Sequence, residues 1–193
     1  MRSPPAWAHV VMVMLAIVSA TRTIAAQGVG LPAPVQAELI AKVCGYDKNY
    51  PVRAGAQAIV LLTFRASSVE STRAASQMLA ALQDLPQIGR TAHAEQLLPF
   101  SDVASLAAAC RDRHASILYV APGLEGDIPA IATALDGGDL LTVAAVTHDV
   151  ERGVVLGFDV FEGRPKLLLN LAQARKQRVA FRPELVRIMT VVP

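Results

Sequence analysis

The hydrophobic pattern of this chain changes period along its length, and the changes mark its elements. A short N-terminal stretch with Arg2 and no acidic residue leads into the apolar run 10–18, which small residues up to Ala26 follow. A basic lead, a short apolar run and small residues, in that order, predict a secretory signal peptide cleaved near Ala26; the uninterrupted run is too short for a membrane span. Residues 27–33 read as a flexible leader. A helix is expected from Pro34, with Gln36, Leu39, Ile40 and Val43 inward and a stop near Gly45. Residues 46–55, with their Asp, Asn, Pro and Gly, read as a loop. Residues 56–64 form a continuous apolar run of the kind buried on both faces of a sheet.

Ser67 with Glu70 reads as a capping box opening the next helix, whose inner face carries Ala75, Met78, Leu79 and Leu82. Residues 90–98 are a weaker strand. Ser101 or Asp102 caps a helix with Val103, Leu106, Ala107 and Cys110 inward, and residues 115–121 are a second buried strand. A further helix, with Ile128, Ile131, Ala132 and Leu135 inward, ends at Gly137-Gly138, and residues 140–146 form a third buried strand. Residues 153–161 and 164–171 then read as a β-hairpin turning at Glu162-Gly163. Asn170 is placed to cap a short helix with Gln173 three positions on, and a last helix follows Pro183. Strand–helix alternation predicts an α/β fold in three layers: a mainly parallel central sheet, helices on both faces and the C-terminal hairpin at an edge. Residues 34–193 are read as one domain.

Composition narrows the function. The chain has 193 residues, is 53% hydrophobic and carries a formal charge of +2. That balance, with only the short basic run Arg175-Lys176-Gln177-Arg178, argues against nucleic-acid binding. Export places the two cysteines, Cys44 and Cys110, where a disulfide can form; two separate buried thiols are the other reading. His93, His114 and His148 stand apart and read as surface residues, and no metal or cofactor motif is present. Asp136-Gly-Gly-Asp139 reads as a helix stop, not an ion loop. His148, Asp149 and Asp159 would matter to an enzyme only if they converged; Asp149 and Glu151 read as solvated turn residues. These features argue against catalysis.

The C-terminal half carries a resemblance. Cys110, the strand Ala-Ser-Ile-Leu-Tyr-Val, the strand Leu-Leu-Thr-Val-Ala-Ala-Val and the segment Asn170-Leu-x-x-Ala-Arg175 followed by Val179, Phe181 and Leu185 resemble the YfiR/HmsC-like family of periplasmic proteins. Asn170 and Arg175 match its C-terminal motif, in a structural or an interface role. Arg182, where the family favours a small polar residue, and Tyr46 to Pro51, where it often has Trp-Pro, depart from it. The resemblance implies a non-catalytic periplasmic regulator without a cofactor. Its implied partner is the periplasmic part of an inner-membrane signalling protein, a diguanylate cyclase, whose restraint lowers cyclic di-GMP and biofilm formation. It leaves room for a homodimer. A small periplasmic ligand-binding module is the alternative.

Overall fold

The computed structural model describes residues 30–192, so the expected signal peptide and the first three residues of the expected leader, 27–29, lie outside the described residues. The chain runs through α1 (Ala33–Cys44), α2 (Tyr50–Ala54), β1 (Gln57–Phe64), α3 (Val69–Gln83), β2 (Ala92–Pro99), α4 (Val103–Asp112), β3 (Ala115–Val120) and α5 (Ile128–Ala134). It continues through β4 (Leu141–Ala144), α6 (His148–Glu151), β5 (Leu156–Phe161), β6 (Arg164–Asn170), α7 (Leu171–Lys176), α8 (Pro183–Val186) and β7 (Thr190–Val192). The seven strands form one sheet in the order β2-β1-β3-β4-β5-β6-β7. β2 to β5 pair in parallel, β5 and β6 are antiparallel, and β7 runs parallel to β6. The expected α/β architecture is therefore present.

Side chains alternate across the strands, and the apolar residues sort into two cores. Val60, Leu62, Ile117, Tyr119 and Val143 pack with α1 and α3. Leu61, Leu118 and Val120 pack with Leu106 and Cys110 of α4 and Ile128 and Ile131 of α5. Coverage on both sides explains why β1 and β3 read as unbroken apolar runs.

Several expectations are corrected. Residues 46–55 are not all loop, because Tyr50–Ala54 forms α2, with the Tyr50 ring buried. The cap of α3 is Ser68, not Ser67: Ser68 has the extended backbone a cap requires, and its Oγ accepts from Ser71 N at 3.2 Å. Asp102 caps α4, accepting from Ser105 N at 2.8 Å. The hairpin is not at the edge, since β7 adds beyond it, leaving β2 and β7 outermost. Asp149 is no solvated turn residue; it lies in α6 and is 1% exposed.

Candidate functional site

The hairpin outruns its neighbours. β4 pairs with β5 only at Val143 and Leu156, and β7 pairs with β6 only at residues 168–170. The hairpin pairing continues to Phe161 and Arg164. Its outer end, residues 159–161 and 164–166, therefore projects as a two-stranded arm, while Phe158 is buried in the core and Leu167 packs against it. The turn residues Glu162 and Gly163 both have positive φ, 51° and 75°, the geometry of a tight two-residue hairpin. Residues 160–165 are all exposed, and Phe161 is 59% exposed. Lys166 Nζ lies 5.1 Å from the Phe161 ring centroid, so the tip presents an aromatic face with a cation beside it.

A free ribbon edge ordinarily invites strand addition. Here the edges are blunted. Thr147 Oγ1 donates to Phe158 O at 2.8 Å, Asp159 Oδ1 accepts from Val160 N at 2.8 Å, and Pro165 has no N–H. Recognition through this arm therefore falls to the side chains of Val160 and Phe161.

The base of the arm is fixed by α6 and Asn170. Asn170 is 6% exposed, and its Oδ1 accepts from Gln173 N at 2.9 Å, capping α7 as the sequence predicts. Its Nδ2 also donates to Val150 O at 2.9 Å and so ties α6 to β6. A Cβ on Gly157 would lie 2.2 Å from Val150 Cγ2, so only glycine in β5 lets α6 sit down. Asp149 is enclosed beneath α6 with no hydrogen-bond partner for either carboxylate oxygen. Burial first, then the nearby Glu125 charge, push its carboxyl up to about 6; Arg152 and His148 oppose this.

The other sequence candidates do not form a reaction centre. His148 is exposed and pairs with Glu151 at 3.0 Å, Asp149 points into the protein, and Asp159 bonds its own neighbour on the arm. His93 corrects the surface reading: its side chain is buried against Glu95, and its Nε2 donates to Leu85 O, 3.0 Å away. Arg175 is exposed on α7. Among the described residues, no group of three or more His, Cys, Asp or Glu could hold a metal ion.

Cys44 and Cys110 are free and buried in different cores, Cys44 with α1 and Cys110 with α4. The sheet lies between them, and of the two readings the structure has two separate thiols. Burial pushes the Cys110 thiol up to about 11 and the Cys44 thiol higher still. Both are poor nucleophiles at neutral pH.

One buried cluster escaped the sequence reading. The side chains of Asp47 and Arg53 are 0% and 2% exposed and pair at 2.7 Å. Asp47 Oδ1 also accepts from Asn49 N and Ala180 N, and Arg53 Nε donates to Asp139 Oδ1 at 2.7 Å. This network locks α2 to the start of β4 and to the segment after α7. The Asp, Asn and Arg of residues 46–55 were its only signal, and they read equally well as loop polarity. Beside it lies an open cavity of about 530 Å³ lined by Arg53, Arg111, His114, Asp136 and Asp139.

Among solved structures, the fold is similar to the ABC domain in complex with L-Trp from Streptococcus pneumonia: TM-score 0.59, 12% identity, 83% of this chain and 62% of that one. It is also similar to a conserved domain protein from Vibrio cholerae: TM-score 0.56, 15% identity, 84% of this chain and 60% of that one. A third is the ligand-free, open structure of a substrate binding protein with adhesive properties from Clostridium difficile: TM-score 0.53, 11% identity, 75% of this chain and 57% of that one. The chain thus spans less than two thirds of each of these proteins, and at such identities the likeness concerns the fold alone. No curated protein matches the chain. The family model described as YfiR/HmsC-like matches residues 34–189, and that span contains the Asn170 and Arg175 motif, both cores and the projecting arm. The chain belongs to the YfiR/HmsC-like family.

Proposed function

We propose that this protein is a non-catalytic regulator that restrains an inner-membrane diguanylate cyclase by seating its hairpin arm on the partner's periplasmic part. The family consists of periplasmic regulators, which supports the coarse role. The observation that carries the finer reading is the arm itself. Val160 and Phe161 are exposed at the end of a ribbon whose edges are blunted by Thr147, Asp159 and Pro165. An exposed aromatic with a polar surround is the usual chemistry of an interface anchor. Among the described residues, no helix is long and apolar enough to cross a membrane.

The test is a deletion strain of the native host complemented with wild-type protein or Phe161→Asp. Deletion should raise cyclic di-GMP, wild type should restore it, and the variant should accumulate normally yet fail to restore it. Unchanged cyclic di-GMP on deletion would overturn the cyclase assignment. Full restoration by the variant would overturn the arm.

A ligand-binding role is favoured by one observation. A cavity of about 450 Å³ lies outside the carboxyl end of β4, against the middle of β5, lined by Leu31, Ala145, Thr147, Phe158 and Asp159. Ligands of open parallel sheets bind at such ends. Saturable calorimetric binding of a small molecule, abolished by Asp159→Ala, would establish that reading instead.

A further inference from the structure

Among the described residues, Asp149 is the only buried carboxylate with neither oxygen hydrogen-bonded, and it sits at the base of the arm. Asp47, the other buried aspartate, is fully paired. A buried ionised carboxylate with no partner is costly, and the usual outcomes are proton uptake or movement toward water. The short helix α6 is the element that would have to move. It is a single turn, tied down by three contacts that all end on the hairpin: Thr147 Oγ1 to Phe158 O, Asn170 Nδ2 to Val150 O, and the Val150 side chain against Gly157.

We propose that the protonation state of Asp149 sets how firmly α6 is seated on the base of the arm, making the arm's ordering dependent on periplasmic pH. In acid, Asp149 is neutral and α6 stays down. Near neutral pH the enclosed charge favours α6 lifting, which releases Phe158 O and Val150 O together and frees the arm. The direction follows from linkage. The carboxyl binds its proton more tightly when enclosed than when α6 is lifted, so the seated state is favoured as pH falls and loses ground as pH rises from the ordinary carboxylate range to about 6. The charged groups acting on Asp149 are Glu125, on the loop before α5, and His148 and Arg152, from α6 itself. Glu125 is held by Gly123 N at 2.8 Å and His148 by Glu151 at 3.0 Å. Asn170 and Gly157, facing α6 from β6 and β5, are uncharged.

The link to regulation rests on the proposed docking role of the arm, but the switch itself is tested without any partner. Amide hydrogen exchange of the mature protein, corrected for the intrinsic pH dependence, is compared at about pH 5 and about pH 7.5. Protection of residues 147–161 should fall about tenfold or more at the higher pH while β1 and β3 stay unchanged. Asp149→Asn should keep the acid-like protection at both pH values, and His148→Asn should still show the loss. Equal protection of the wild type at both pH values, or the same loss in Asp149→Asn, overturns the proposal. A carboxyl-carbon NMR titration of the unmodified protein checks it independently of any variant: a midpoint near 6 for Asp149 supports it and one near 4 overturns it. If the switch is found but Phe161→Asp still restrains the cyclase, the switch stands and the docking role falls.

Discussion

Replacing Asn170 with Ala removes two hydrogen bonds made by one buried side chain. Loss of the cap on Gln173 N should cost about 1 kcal/mol. The second loss removes one of two donors to Val150 O, which keeps Gly153 N at 3.3 Å, and adds roughly 0.5–1.5 kcal/mol. The sum is about 1.5–2.5 kcal/mol, more than a cap alone. For a domain of this size that corresponds to a fall in Tm of roughly 3–10 °C. Asn170→Asp separates the two roles, because it keeps an acceptor for Gln173 N but turns an oxygen toward Val150 O. It should hold α7 yet lose stability at neutral pH, and regain part of it in acid, where a protonated carboxyl can donate. Urea denaturation of the mature protein, followed by circular dichroism, reads both variants. Asn170→Ala within about 0.5 kcal/mol of wild type would refute the two-bond account, since that is the range of an ordinary surface change. Unchanged stability with lost restraint of the partner would assign Asn170 to an interface instead.

Gly157→Ala should be strongly destabilising, by about 1–3 kcal/mol or more, because its methyl would meet Val150 at 2.2 Å; normal stability, measured by calorimetry, would mean α6 is not seated as described. Asp47→Asn leaves Arg53 with Asp139 alone as its charged partner and should cost about 1–3 kcal/mol in the same assay; a neutral result would refute the ion-pair network. Thiol titration should find both cysteines free in the denatured, unreduced protein and neither reactive in the native one; a protein without free thiols would contradict their separation by the sheet.

The central sheet was legible because burial on both faces leaves a plain signature. Residues 56–64 and 115–121 are unbroken apolar runs, and they are β1 and β3 almost to the residue. The cap at Asn170 was legible, and that of α4 was narrowed to Ser101 or Asp102, for a local reason, since a cap bonds only a few positions ahead. What failed was non-local. α2 and α6 are single turns: α2 is fixed by Asp47 and Arg53 through Ala180 and Asp139, and α6 by Asn170, partners well separated along the chain. The strand β7 has three residues and too short a pattern to read. The arm was visible as a hairpin, but its projection depends on how short β4 and β7 are, which no pattern within residues 153–171 records. Asp149 read as solvated because its exposure depends on the packing of α6, not on its neighbours in sequence.

The account's central claim is that this protein acts by contact, through the tip of its arm, on the periplasmic part of a membrane signalling protein. A photo-reactive phenylalanine analogue at position 161, expressed in the native host and irradiated in intact cells, tests it most directly. The account predicts a specific adduct with an inner-membrane protein bearing a cytoplasmic cyclase domain, absent when the analogue is placed at the exposed residue Arg175 on α7. Adducts formed equally from both positions, or none from position 161 while the protein still lowers cyclic di-GMP, would contradict it.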